Sequence, residues 1–114
     1  RTRMEARGRR TQPRLRVNRG FVFVATGPAF LEEARRAAAT LRRFHPRGRL
    51  CLVSDAADPD PLWNDRVLLT TPAYSFRDKL AMHTCPYDRY LFLDTDTRVL
   101  APLDEVFDLL DAFD

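Results

Sequence analysis

The chain has 114 residues, of which 45% are hydrophobic, so its length suits one small domain with a real core. No apolar run approaches the roughly 18 residues that a membrane span needs, and no apolar stretch follows the basic start as it would in a secretory signal. The formal net charge of +3 conceals a basic beginning and an acidic remainder.

The first 20 residues hold eight arginines and a single acid, Glu5. Out of totals of 19 basic and 16 acidic residues, this leaves 11 basic and 15 acidic residues for the rest of the chain. Such a segment is typical of a solvated arm, and we predict a disordered tail over residues 1–19. Binding to nucleic acid is a weaker alternative, because no aromatic residues lie between the arginines to stack with bases.

A β-α-β unit is predicted directly after the tail. The run "GFVFVAT", residues 20–26, is short, apolar and bounded by glycines, which is typical of a fully buried strand. Residues 28–45 predict an amphipathic helix that begins at Pro28 and ends before Pro46. Its apolar stripe comprises Phe30, Leu31, Ala34, Ala38, Leu41 and Phe44. The run "RLCLVSD", residues 49–55, predicts a second buried strand and completes a right-handed crossover.

The second half of the chain repeats the alternation of strand and helix. A weaker strand is predicted at residues 66–70, and a helix at residues 75–85 with Ser75 as N-cap and Asp78 close to a capping box. A strand follows at residues 89–94, and a short helix closes the chain. The order β-α-β-β-α-β-α predicts an α/β fold, with an open, mostly parallel sheet and helices on its faces.

The two cysteines, Cys51 and Cys85, are too few for a disulfide framework and lack the spacing of a metal site. Each is predicted to be a buried structural thiol. A reducing, cytoplasmic location fits this cysteine usage.

Asp94 and Asp96 directly follow the predicted strand "RYLFLD". In open α/β sheets, ligands bind outside the carboxyl ends of the strands. In extended backbone, residues i and i+2 point to the same side, so the two carboxylates could converge on a hard cation such as Mg²⁺ or Mn²⁺. Phosphate oxygens would have to complete the shell. The alternative is a pair of solvated turn aspartates, which the spacing alone favours.

Other motifs fit this stretch less well. A calcium loop of the EF-hand type would place Arg98 and Val99 at its fifth and sixth positions, where an oxygen ligand and a glycine are needed. A phosphatase of the haloacid-dehalogenase type also begins from a strand and Asp-x-Asp, but usually has Thr or Val in place of Arg98 and usually opens the domain. Neither G-x-x-x-x-G-K-[ST] nor G-x-G-x-x-G occurs in the sequence.

The segment "KLAMHTCPYDRYLFLDTDTRVLAPLDEVFD", residues 79–108, resembles the core of GT-A-fold nucleotide-sugar glycosyltransferases, especially the glycogenin-like, family-8-like group. In that group a Lys-Leu helix precedes the strand that ends in Asp-x-Asp, and a Pro-Leu-Asp-Glu turn leads into the next helix. The upstream "FVFVATGPAF" and "LRRFHPRGRLCLVSD" are similar to the family's first strand, first helix and second strand. The resemblance extends from Gly20 to the C-terminus.

The resemblance implies a Rossmann-like GT-A fold and metal-dependent transfer of a sugar from a nucleotide diphosphate sugar, most simply a UDP-sugar. Asp94 and Asp96 match the pair that holds Mn²⁺ or Mg²⁺ against the donor diphosphate, and Thr95 would lie beside the nucleoside. Ala25 and Thr26 match the strand end against which the base packs.

Lys79 matches a lysine near the donor sugar or diphosphate, so the resemblance makes Lys79 and Asp96 the candidate catalytic residues. Lys79 is also the only lysine beside eighteen arginines, which suggests that a compact ammonium is wanted there. Chance, or a solvated helix face, is an equal alternative. Asp55 ends the second strand without an assigned role.

Family members supply a third metal ligand, often His, from a segment far downstream of Asp-x-Asp, whereas His45 and His83 here are predicted to be structural. The resemblance therefore implies that residues 20–114 are the nucleotide-sugar-binding half of a GT-A domain, incomplete at the C-terminus. The alternative is a nucleotide- or metal-binding remnant without turnover. The acceptor, whether a saccharide, a protein or a small molecule, has no signature in the sequence.

Overall fold

The computed structural model describes residues 17–113, with side chains described from residue 19 to residue 109. The predicted disorder of the tail falls almost entirely outside this range. Four strands, two α-helices and one 3₁₀ helix follow one another along the chain. They are β1 (Val17–Ala25), α1 (Pro28–Phe44), β2 (Leu50–Ser54), β3 (Asp65–Leu68), the 3₁₀ helix (Phe76–Thr84), β4 (Tyr87–Phe92) and α2 (Asp104–Phe113).

The four strands form one sheet in the order β3-β2-β1-β4, and every neighbouring pair is parallel. Val22 in the centre of β1 pairs with Cys51 of β2 on one side and with Phe92 of β4 on the other. The predicted α/β class, with a parallel sheet and flanking helices, is confirmed. Because β2 and β3 extend to one side of β1 while β4 lies on the other, the strand order reverses between β1 and β4.

The two central strands of the sheet, β1 and β2, are buried on both faces. Phe21, Phe23 and Ala25 of β1 pack with α1 on one face, while Val22 and Val24 pack on the other. This alternation follows from the two-residue period of a strand. Alanines 34, 37 and 38 form the buried stripe of α1 with Leu31 and Leu41, and their small side chains allow the helix to lie close to the sheet.

Gly20 is required by the close approach of the buried Tyr87 ring. A β-carbon at Gly20 would lie 2.6 Å from Cδ2 and 2.7 Å from Cζ of that ring. The Tyr87 hydroxyl donates a hydrogen bond to Asp65 Oδ2 at 2.7 Å. This bond links β4, at one edge of the sheet, to β3 at the other edge.

The structure departs from the sequence-based expectation at several elements. β1 begins at Val17, three residues before the predicted start, so Val17–Arg19 belong to the strand rather than to the tail. The predicted helix at residues 75–85 is a 3₁₀ helix, and Phe76 and Leu80 on it are 80% and 71% exposed. A helix without a buried apolar stripe lacks the packing that stabilises α-helical geometry in proteins. Phe30, predicted in the stripe of α1, is also exposed.

Candidate functional site

A cavity of about 460 Å³ opens at the carboxyl ends of β1 and β4. Its volume is within the range of small-molecule sites in proteins. It lies where the strand order reverses, which is the usual ligand position in open α/β sheets. Its lining comes from four segments: the end of β1 (Val24 and Thr26), the beginning of α1 (Phe30 and Glu33), residues 74–79, and residues 94–96.

The Asp-x-Asp segment is a turn rather than the continuation of a strand. β4 ends at Phe92, and the backbone N–H of Thr97 donates to the carbonyl of Asp94 at 3.0 Å. The expectation of extended backbone at this pair is therefore wrong. Asp94 and Asp96 are nevertheless both exposed and both line the cavity, so the turn presents two carboxylates to one space.

Thr95, between the two aspartates, is buried and its hydroxyl donates to Glu33 Oε1. This contact joins the turn after β4 to the second turn of α1. The Thr95 hydroxyl is therefore engaged within the protein, and the contact of Thr95 with a nucleoside that the resemblance implies stays a prediction.

Lys79 forms an ion pair with Asp94. The Lys79 Nζ lies 2.8 Å from Asp94 Oδ1, and the two side chains are 47% and 50% exposed. The structure thus brings together two residues, fifteen positions apart in the chain, that sequence reasoning placed at the same diphosphate. The ammonium contacts the carboxylate itself.

Asp78 is a buried carboxylate in the cavity wall that sequence reasoning had seen only as part of a helix cap. Its oxygens accept hydrogen bonds from the Thr26 hydroxyl and from the backbone N–H groups of Ala73 and Tyr74, each at 2.8 Å. The Ala73 N–H is the main cause that holds the pKa of Asp78 below its usual value. Ser75 acts as N-cap as predicted, since its hydroxyl accepts from the Arg77 N–H at 3.3 Å.

Asp55, at the end of β2, holds the cavity wall from the other side. Its Oδ1 accepts from the Gly27 N–H at 3.1 Å, and its Oδ2 accepts from the Tyr74 hydroxyl at 3.0 Å. The Gly27 N–H contributes most to lowering the pKa of Asp55. Tyr74 has a φ of 56°, an unusual value for a residue with a side chain. Asp55 and Asp78 together fix the loop that precedes Lys79.

Five of the six candidate site residues meet at this cavity: Thr26, Lys79, Asp94, Thr95 and Asp96. Ala25 does not line it. Its side chain is buried in the core against α1, because successive residues of β1 alternate between the faces of the sheet. The sequence marked Asp78 only through its place near a helix cap, because its partner Thr26 is 52 positions away.

Asp94 and Asp96 fit a hard divalent cation in part. Carboxylate oxygens are the ligands that Mg²⁺ and Mn²⁺ prefer, and Mg²⁺ commonly takes one or two carboxylates with phosphate oxygens and water. Among the described side chains of residues 19–109, no group of three or more His, Cys, Asp and Glu is placed to hold a metal. His45 Nε2 accepts from the Leu103 N–H, and His83 Nδ1 lies 2.6 Å from the Leu80 carbonyl oxygen.

Comparison with known proteins adds no relative. No protein-family model matches the chain, and no curated protein matches it. In the part of the chain that the structure describes, no helix is long and apolar enough to cross a membrane. The functional conclusion therefore depends on the chemistry of the cavity.

Proposed function

We propose that the chain is the donor-binding part of a metal-dependent glycosyltransferase that takes a nucleotide diphosphate sugar. In this proposal the parallel sheet is the nucleotide-binding part of a GT-A fold. The observation that carries it is the meeting of Asp94, Asp96 and Lys79 in one cavity where the strand order reverses. Carboxylates for a cation and an ammonium for a phosphate are the two charges that a metal diphosphate requires.

The charged side chains of the cavity and the end of β1 have separate roles in this proposal. Asp94 and Asp96 would hold Mn²⁺ or Mg²⁺, which when bound neutralises charge that develops on the leaving diphosphate. Lys79 adds a positive charge at the same place. The end of β1, with Thr26, forms the wall available to the base, while Asp78 fixes the Thr26 hydroxyl.

A titration of UDP in the presence of Mn²⁺, followed by calorimetry, tests this proposal. Asp96→Ala removes one of two protein ligands, and we expect UDP to bind at least tenfold more weakly, a change of about 1.4 kcal/mol. Asp88→Ala is the matched control, since Asp88 is an exposed aspartate near the beginning of β4, at the end of that strand far from the cavity. Equal binding of UDP by the wild type and Asp96→Ala would contradict the proposal.

A binding domain without turnover is the second candidate. It is favoured by the limited ligand set, since among the described side chains of residues 19–109 no group of three or more His, Cys, Asp and Glu is placed to hold a metal. Hydrolysis of several UDP-sugars in Mn²⁺, followed by chromatography, separates the two candidates. Release of UDP that depends on Asp96 supports the transferase, whereas tight UDP binding without release supports the binding domain.

A further inference from the structure

We propose that Lys79 is a built-in competitor of the divalent cation, so that the metal and the diphosphate bind as a pair rather than one after the other. The ammonium neutralises Asp94 while the cavity is empty of cation. Asp94 would release the ammonium when it binds a divalent ion, and the Lys79 ammonium would then pair with the diphosphate. This inference depends on the proposed function, because it concerns how the same site is filled.

The ion pair has the geometry and exposure that such an exchange needs. The distance of 2.8 Å between Lys79 Nζ and Asp94 Oδ1 shows direct contact, so the ammonium occupies a position from which a cation would bind that oxygen. Both side chains are about half exposed. Ion pairs of this kind contribute little to stability and are screened by water, so the ammonium can leave Asp94 readily.

The backbone that carries Lys79 is anchored by its neighbours, while the Lys79 side chain is about half exposed. The adjacent Asp78 is anchored by Thr26 and by the N–H groups of Ala73 and Tyr74. The ammonium must therefore remain within the reach of its four-carbon stem from the cavity wall. When Asp94 and Asp96 hold a cation, Asp78 and Glu33 still accept the hydrogen bonds of Thr26 and Thr95, so a phosphate bound in the same cavity is the anion that the ammonium would pair with.

The three charges are then linked thermodynamically. With Lys79 present, the cation alone has to break the ion pair and then lie near a displaced ammonium, which weakens its binding. A diphosphate removes this penalty because it interacts with both cations. Affinity for the metal alone is therefore kept low, and affinity for the metal diphosphate is kept high.

Removing the ammonium should consequently improve binding of the metal alone. We expect Lys79→Met to bind Mn²⁺ roughly two- to fivefold more tightly than the wild type, the range set by an exposed ion pair. The same variant should bind UDP in saturating Mn²⁺ more weakly. Lys79→Arg retains a cation and should keep the weak Mn²⁺ binding of the wild type.

Free Mn²⁺ measured by electron paramagnetic resonance gives the first affinity, and calorimetry with UDP gives the second. Arg77→Met is the matched control, because it removes an exposed positive charge from the same 3₁₀ helix two residues away. It should leave the Mn²⁺ affinity near the wild-type value. Circular dichroism and the Tm confirm that each variant is folded.

The outcomes separate this inference from the proposed function. Unchanged or weaker Mn²⁺ binding by Lys79→Met, or equal tightening by Arg77→Met, overturns the competition even if UDP binding still depends on Asp96. Tighter Mn²⁺ binding by Lys79→Met in a chain that never binds UDP leaves the competition at Asp94 standing, but it overturns the paired binding together with the proposed function. No Mn²⁺ binding by any of the chains overturns both.

Discussion

Asp78 accepts three hydrogen bonds from groups that belong to different parts of the chain, and an ionised carboxylate satisfies all three. Its lowered pKa means that folding favours the charged form. The hydrogen bonds therefore stabilise the fold fully above the ordinary aspartate pKa of about 3.9, and this contribution is lost as the pH falls through the lower folded value.

Asp78→Asn should lower the Tm at pH 7, because an amide turns its NH₂ group toward donors that need an acceptor. The difference in Tm between the wild type and the variant should shrink as the pH falls from about 4 through the lowered pKa of the folded carboxylate, because the wild-type side chain then becomes protonated too. Thermal unfolding followed by circular dichroism from pH 2 to pH 7 measures this difference. Asp55 and Asp58, whose pKa values are also lowered, are present in both chains, so their contributions to the pH dependence cancel in the difference.

The control for this comparison is Asp88→Asn, which changes an exposed aspartate in the same way. Surface substitutions of this kind usually change stability by less than about 0.5 kcal/mol. A pH-independent difference between Asp78→Asn and the wild type would show that the carboxylate charge has no part in the stabilisation.

Sequence reasoning reached some residues of the site and not others for a physical reason. Asp94 and Asp96 stood out because they follow a strong strand signal, and Lys79 because it is the only lysine of the chain, while their assignment to one site came from the family resemblance. The partners of Asp78 and Asp55 were not found, because Thr26 and Gly27 approach them only through the packing of parallel strands. Such contacts have no trace in local sequence.

At the scale of elements, α1 is tied to the rest of the fold at its C-terminal end by Arg42. This guanidinium donates to the Gly48 carbonyl at 2.6 Å, to the Leu62 carbonyl at 2.8 Å and to Asn64 Oδ1 at 3.0 Å. Desolvation lowers its pKa. Arg42 and Arg43 both lie in the last turn of α1, near the negative end of the helix dipole, but the bonds to Gly48, Leu62 and Asn64 come from Arg42.

Arg42→Ala should destabilise the protein by about 2 kcal/mol, because several charge-assisted hydrogen bonds are lost and carbonyl groups lose their donor. Arg43→Ala is the matched control, since Arg43 is an exposed arginine at the same end of the helix. This substitution should change the free energy of unfolding by less than about 0.5 kcal/mol. Urea unfolding of both variants gives the two free energies. Equal losses would mean that helix-end charge, and not the bridging contacts, stabilises this corner.

The elements themselves were predictable to different degrees. β1, α1 and β2 carry strong signals, namely apolar runs, a helical stripe and the stops at Pro46 and Gly48, and the structure confirms them within a few residues. The 3₁₀ helix was mistaken for an α-helix because its sequence has a cap and apolar residues. Phe76 and Leu80 are exposed, however, so these residues do not form a buried face.

At the scale of the whole molecule, the strand order was the step that sequence could not supply. The β-α-β rule predicts that β1 and β2 are parallel neighbours, but it does not say on which side β4 will pair. The position of β4 beside β1 creates the reversal of order and brings Asp94 next to the end of β1. The cavity is thus a property of the topology, and its residues come from segments as far apart as Val24 and Asp96.

The sheet face opposite α1 contains both thiols, which makes them reporters of the opening of the whole domain. Cys51 in β2 and Cys85 before β4 belong to one buried cluster with Val22, Val53 and Tyr87, as the prediction of structural thiols required. Burial raises the pKa of Cys51 to about 12, so at pH 8 the reactive thiolate is scarce as well as inaccessible.

Both thiols should therefore react with Ellman's reagent only when the domain opens. We expect a rate on the order of a thousandfold below that of an exposed thiol, since an opening of about 4 kcal/mol exposes the cluster for one part in a thousand of the time. A thiol introduced by Asp88→Cys supplies the exposed reference in the same chain. The slow rate should rise with urea in proportion to the unfolded population. A slow rate that does not depend on urea would show that this face of the sheet opens without unfolding of the domain. Native thiols that react as fast as the reference thiol would show the same.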